Sequence, residues 1–248
     1  MKDLFSTRSD QYARYRPTYP VELFDFLKSQ AKGKTRLWDC ATGNGQVAGP
    51  LSQFFDEVYA TDISSSQISN AVQAANIFYS VQPAEKADFP DDYFDMITVS
   101  QAIHWFDFDA FYKEVSRTLK PDGVFAAMGY GMFQVVGDEA SNREAQFFYH
   151  DVTGPYWDPE RKFVDAYYRT ISFPFNEIPA PAFTIEREWS LDECIGFLST
   201  WSAVKHYIRV NNKNPLEDFE VQIEKSWNKN QKRHIRFPVF MRIGTLSS

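Results

Sequence analysis

Two aspartates bracket a glycine-bearing turn early in the chain. Asp39 follows Leu37-Trp38 and leads into Cys40-Ala41-Thr42-Gly43-Asn44-Gly45, while Asp62 stands nineteen positions beyond Gly43. Glycines at such a turn let backbone approach a ligand closely and adopt positive φ. A carboxylate ending a second apolar run is placed to accept both ribose hydroxyl hydrogens of an adenosine-bearing cofactor. A second cluster, Gln101-Ala102-Ile103-His104-Trp105-Phe106, combines an amide, an imidazole and an indole within six positions. That is a set able to hold a polar reactant.

Which adenosine cofactor the first cluster suits follows from charge. Dinucleotide loops aim backbone N–H groups at a pyrophosphate. Here Asp39 stands just before the turn, where it would repel two phosphates, and Gly49 falls one position later than Gly-x-Gly-x-x-Gly requires. S-adenosylmethionine (SAM) has no phosphate, and its ammonium and sulfonium suit an acidic lip. The loop chemistry therefore favours SAM. A nicotinamide-dependent oxidoreductase and a catalytically silent SAM-binding protein stand as the alternatives.

If a methyl group is transferred, the second cluster faces the acceptor. A carboxylate is ionised at pH 7 and needs positioning rather than a base, whereas a hydroxyl needs a base, for which His104 is placed. Hydroxyl and nitrogen acceptors both stay open beside the carboxylate. His104 and Trp105 would also pack as core residues. The segment Tyr12-Ala13-Arg14-Tyr15-Arg16-Pro17-Thr18-Tyr19-Pro20 reads as a strap over a pocket. Tyrosines there supply apolar area with a polar tip, and arginines supply a fork for a carboxylate. Tyr15 would close the catalytic site, and Arg16 rather than Arg14 would meet a carboxylate. Trp201 and Lys205 would line the acceptor side, although Ile195, Leu198 and Trp201 also form a stripe suited to core.

The bulk properties restrict the partners. The chain has 248 residues, of which 44% are hydrophobic, enough for one α/β domain with an embellishment. A net charge of −7 argues against a general polyanion binder, so no nucleic-acid partner is expected. Lys232-Arg233-His234 reads as a solvated face. Without a signal-peptide pattern or a run of 18 apolar residues, a cytoplasmic protein with no membrane partner and reduced Cys40 and Cys194 is expected. Four scattered histidines and no CxxC or HExxH spacing suggest no metal site. The oligomeric state is left open.

The elements that must position these residues alternate. Strands are expected at 36–39, 57–61, 77–81, 94–100 and 124–129, with helices from Pro20, at about 45–54, 65–75 and 108–119. Pro50 should make the first crossover helix irregular. Ser64 with Gln67, Asp107, and Ser190 with Glu193 read as helix caps, and Pro121-Asp122-Gly123 as a turn. Later elements are helices at about 138–152 and 159–170, a strand at 183–189, helices at 191–205 and 215–228, and a strand at 235–243. This alternation implies a doubly wound, mostly parallel α/β sheet, expected with seven strands. Four parts follow: strap and first helix at 1–35, SAM-binding core at 36–129, an aromatic cap insertion at 130–182, and sheet completion at 183–248.

The run from Trp38 to Gly123 resembles a class I SAM-dependent methyltransferase of the small-molecule type 11 group, and within it the trans-aconitate methyltransferase-like branch. The matching stretches are Asp39–Gly45, Thr61-Asp62-Ile63-Ser64, Ala84-Glu85, Phe94-Asp95-Met96-Ile97, Gln101–Phe106 and Leu119-Lys120-Pro121-Asp122-Gly123. The strap Tyr12–Pro17 and Thr200-Trp201-Ser202-Ala203 are similar to that branch too. Ala41 departs from the more usual glycine, and Pro83 stands where many relatives have an aspartate facing the adenine. The resemblance implies that Asp39, Ala41, Gly43 and Gly45 surround the methionine half of SAM, Asp62 the ribose, and Ile63 and Ala84 the adenine. Gln101 would border the sulfonium, and Trp105 would bind a carboxylate on a small-molecule acceptor.

Overall fold

Leu37 packs on one side of β1 (Arg36–Cys40), while Trp38 and Cys40 pack on the other. All three are buried, so this strand is covered on both faces, as interior strands of parallel sheets are. The same alternation repeats in β5 (Leu119–Tyr130), where Val124, Ala126 and Met128 face one core and Phe125 and Ala127 the other. The computed structural model describes residues 15–246. Tyr12 and Arg14 of the strap lie outside the described residues.

β2 (Glu57–Asp62), β3 (Ile77–Val81) and β4 (Phe94–Ser100) join β1 and β5 in a parallel sheet of order β3-β2-β1-β4-β5. The order reverses between β1 and β4, and ligands of such sheets bind beyond the strand ends at this point. After β5 come β6 (Gln134–Val135), β7 (Phe175–Glu177) and β8 (Phe183–Trp189), which all pair antiparallel with β9 (Arg233–Leu246). β9 itself runs antiparallel to β5. The fold is the expected doubly wound α/β sheet, with nine strands among the described residues rather than seven. The difference arises because β9 is 14 residues long: β5 pairs with its second half, leaving length for the shorter strands.

Helices flank this sheet. α1 (Val21–Gln30) buries Leu23, Phe24 and Leu27. α2 (Ala48–Leu51) contains Pro50 and is only four residues long within a series of turns, as the missing proline N–H requires. α3 (Ser65–Ser69) stops well short of residue 75. The Ser69 hydroxyl and Asn70 amide bond back to the carbonyls of Ser65 and Ser66, competing with further helix. α4 (Phe108–Thr118) turns Phe111, Val115 and Thr118 inward. The cap bonds at Ser64, Asp107 and the Ser190–Glu193 box are all present, and each such cap is worth about 1 kcal/mol.

Two expected regularities break. Pro121-Asp122-Gly123 lies within β5 as a register shift, where Phe94 pairs with Leu119 but Met96 with Val124. The expected helix 191–205 divides into α7 (Leu191–Ser199) and α8 (Ser202–Asn211). There the Thr200 hydroxyl donates to the Phe197 carbonyl at 2.6 Å, and Trp201 takes an extended conformation. The intervening chain carries α5 (Glu139–Phe147), a π-turn over Phe148–Val152 and α6 (Arg161–Asp165), and α9 (Pro215–Ile223) precedes β9. Among the described residues no helix is long and apolar enough to cross a membrane.

Candidate active site

At the reversal point Ala41 directly follows β1 and Gln101 directly follows β4, and both residues adopt φ near +53°. The left-handed conformation costs a non-glycine residue about 1 kcal/mol or more, and such strain is retained where a site needs it. From Ala41 the loop crosses toward β2. Thr42 N–H donates to the Thr61 carbonyl at 2.9 Å, and Gly43 N–H donates to Asp62 Oδ2 at 2.9 Å. Ser64 N–H donates to the other oxygen of Asp62 at 2.8 Å, so its carboxylate is fixed in orientation at the loop's edge. Gly43 has φ +57° and open space where a Cβ would stand, which lets backbone face a ligand directly.

These groups border a cavity of about 860 Å³, counting its mouth. Of the sequence-predicted cofactor residues, Ala41, Gly43, Asp62, Ile63 and Gln101 line it, and Arg16 reaches it from the strap. The residues fit an adenosine-bearing cation. A fixed carboxylate sits at the lip, an apolar Ile63 adjoins it, and glycine backbone leaves room.

Three expected residues are placed elsewhere. Asp39 is 1% exposed and turned behind the loop. It accepts from Thr42 Oγ1 at 2.5 Å, Thr98 Oγ1 at 2.8 Å and Ala48 N–H at 3.2 Å, so it organises the turn instead of forming the acidic lip. Burial raises its pKa to about 6 against the opposing effect of those bonds. Gly45 (φ +80°) faces Tyr79, whose hydroxyl lies 2.5 Å from where a Cβ would stand, and so serves turn packing. Ala84 is buried in the core and does not line the cavity. Of the two aspartates, only Asp62 lines the cavity.

A second cavity, about 680 Å³, adjoins the first through Arg16, Gln101, Trp105 and Tyr130, which line both. His104 and Trp201 line the second alone. Tyr15 lines neither: its ring packs on Gly196 of α7, where any Cβ would collide with it at 2.4 Å. Lys205 lines neither as well. Arg16 donates to the Tyr130 hydroxyl at 3.0 Å and lies over the Phe197 ring.

His104 is 7% exposed, and its Nδ1 meets the Tyr168 hydroxyl at 3.0 Å. Burial, aided by the nearby positive charge of Arg161, pushes its pKa down to about 3. The imidazole is neutral at pH 7 and a weak base. Its partner is held under strain, since Tyr167 and Tyr168 both have positive φ.

Several lining residues were not singled out from the sequence. Tyr19, which accepts a hydrogen bond from the Ser100 hydroxyl at 2.8 Å, lines the first cavity with Thr42 and Asn44. Trp157, Asp158 and Arg161 line the second. Tyr19 and the loop residues were signalled by their neighbours in the strap and turn. The other three come from the segment after β5, whose only signal was its aromatic content.

Comparison with known proteins agrees with this geometry. A family model described as a methyltransferase domain matches residues 38–127. A candidate methyltransferase of Dictyostelium discoideum is 31% identical over 245 residues, covering 96% of this chain and 93% of its own. The structure of a candidate type II methyltransferase from Anaeromyxobacter dehalogenans superposes with a TM-score of 0.86 at 35% identity, covering 94% of this chain and all of that one. The YcgJ protein of Bacillus subtilis, at 18% identity and a TM-score of 0.52 over 92% of this chain and all of that one, shares the fold. The chain belongs to the class I SAM-dependent methyltransferases, and SAM is its cofactor.

Proposed function

We propose that the protein methylates a carboxylate oxygen of a small molecule held in the second cavity. Bound SAM supplies an electrophilic methyl group on a sulfonium. Ala41, Gly43, Asp62, Ile63 and Gln101 would hold it, since they line the first cavity. The acceptor would lie in the second cavity, with its reacting oxygen near the shared residues Arg16, Gln101 and Trp105.

The observation that carries the carboxylate reading is the state of His104. A hydroxyl or ammonium acceptor must lose a proton, and efficient general bases have pKa values near the working pH. His104, the base suggested by the sequence, is held near 3. A carboxylate has no proton to lose at neutral pH, so the chain has only to orient it and exclude water. Arg16 supplies a guanidinium at the junction of the cavities, where an oxyanion would sit. His104 and Trp105 then act as positioning groups. The resemblance of Gln101–Phe106 and the strap to the trans-aconitate methyltransferase-like branch supports the same acceptor chemistry. With a net charge of −7, the protein suits small molecules better than nucleic acids.

The test is chemical. Methyl-labelled SAM is incubated with the protein and a panel of carboxylic acids, phenols and amines, and the product is treated with mild base. A carboxyl methyl ester releases labelled methanol. Base-stable label on a phenol or amine, with none on any acid, would overturn the carboxylate assignment.

A further inference from the structure

The far end of the second cavity carries two charged groups of opposite sign, neither of which the methyl-transfer chemistry uses. Asp158 and Arg161 sit on one turn, with Arg161 N–H donating to the Asp158 carbonyl at 2.9 Å, and both line this cavity but not the first. Arg161 is preorganised. Its Nε donates to the Tyr149 hydroxyl at 2.7 Å and to Asp165 at 3.2 Å, and its guanidinium lies 4.5 Å from the Trp157 ring centre. Among the described residues neither Nη donates a hydrogen bond, so the fork itself is available to a ligand. A guanidinium clamped through Nε and an aromatic face, with its fork open, is suited to bidentate capture of a carboxylate.

Asp158 presents the complementary anomaly. Its side chain is only 11% exposed, yet among the described residues neither carboxylate oxygen accepts a hydrogen bond, and Oδ2 is wholly buried. The nearest cationic candidate is His206, whose Nδ1 is 3.8 Å away and already 3.0 Å from the Tyr156 carbonyl. A largely buried carboxylate without donors is costly and calls for a partner. Trp105, Trp157 and Trp201 line the same compartment, and indole faces favour a cation there.

We propose that this end of the cavity binds the zwitterionic head of an α-amino acid, with Arg161 taking its carboxylate and Asp158 its ammonium. The proposal rests on reading the second cavity as the acceptor compartment. Combined with the carboxylate reading, it makes the acceptor an amino acid whose side chain ends in a second carboxylate directed toward Arg16. A plain dianion would leave Asp158 unpaired and facing negative charge, whereas an amine without a carboxylate would leave the Arg161 fork empty.

The experiment is calorimetric titration of the full chain saturated with S-adenosylhomocysteine. The probes are glutamate and 2-aminoadipate, their deaminated analogues glutarate and adipate, and their decarboxylated analogues 4-aminobutanoate and 5-aminopentanoate. Each charge-assisted contact should make the amino acid bind about tenfold or more tightly than either analogue. Asp158→Asn should abolish the preference over the deaminated acids while keeping that over the amines. Arg161→Gln should do the reverse, and Arg161→Lys, which keeps charge but loses the fork, should recover only part of the affinity. Deaminated acids that bind as tightly as the amino acids, or preferences unchanged in both variants, would overturn the proposal. Binding with these preferences but without a base-labile methyl product would overturn the carboxylate-transfer reading alone.

Discussion

Replacing His104 with glutamine tests the burial argument quantitatively. The imidazole ordinarily titrates near 6.5, and in the folded protein its pKa is pushed down to about 3. It therefore binds its proton more tightly in the unfolded chain. Its contribution to stability is present above about pH 6.5 and is lost as pH falls toward 3. Between pH 7 and pH 5 these two values give a loss of about 2 kcal/mol. Asp39 acts in the opposite sense: with its pKa raised to about 6, it stabilises the fold as pH falls through that value. Asp39 is common to both proteins, so subtracting the variant from the parent isolates His104. Urea unfolding followed by tryptophan fluorescence at pH 7 and pH 5 measures the difference. The parent should lose about 2 kcal/mol more than His104→Gln over this interval, while the variant keeps an amide able to meet the Tyr168 hydroxyl. An identical pH dependence in the two proteins would refute the claim that His104 is held neutral by burial, and with it the case against a histidine base.

Three further outcomes follow from the loop. Ala41→Gly should raise stability by about 0.5–1 kcal/mol in denaturant unfolding, because it relieves a left-handed alanine at φ +53°. Gly45→Ala should lower stability by about 1–3 kcal/mol, since the added methyl meets the Tyr79 hydroxyl at 2.5 Å and φ is +80°. Asp39→Asn should make stability fall more steeply between about pH 6 and 4, because it removes a carboxyl raised to about 6 whose protonation offsets the loss from His104, measured by thermal melts across that range.

The sheet was readable because its signals are local. β2, β3 and β4 are short runs bounded by turns, and Ser64, Asp107 and Ser190 announce their helices by cap chemistry. Asp62, at the end of β2, needed only spacing and charge to be singled out, and it does line the first cavity. Asp39 was harder. Its type and position suit a lip, but its direction depends on Thr98 from β4 and Ala48 from α2, which only the folded chain brings together. Tyr15 failed in the same way, because Gly196, on which it packs, is remote in sequence. The helix 191–205 was misread because Thr200 satisfies the Phe197 carbonyl with its own hydroxyl, a local choice that periodicity does not register. Arg161, Asp158 and Tyr168 escaped altogether. They lie in a long excursion after β5, and nothing in their spacing ties them to His104 in the turn after β4.

The most direct measurement is calorimetric titration of S-adenosylhomocysteine into the parent protein and Asp62→Ala. Asp62 accepts from both Gly43 and Ser64 N–H groups at the lip of the first cavity. Its removal should lower affinity by about tenfold to a hundredfold, through loss of ribose contacts and of the carboxylate that orders the loop. Affinity for the dinucleotide NAD should be undetectable in both proteins. Equal affinity for S-adenosylhomocysteine in the two proteins would contradict the assignment of this cavity as the SAM site.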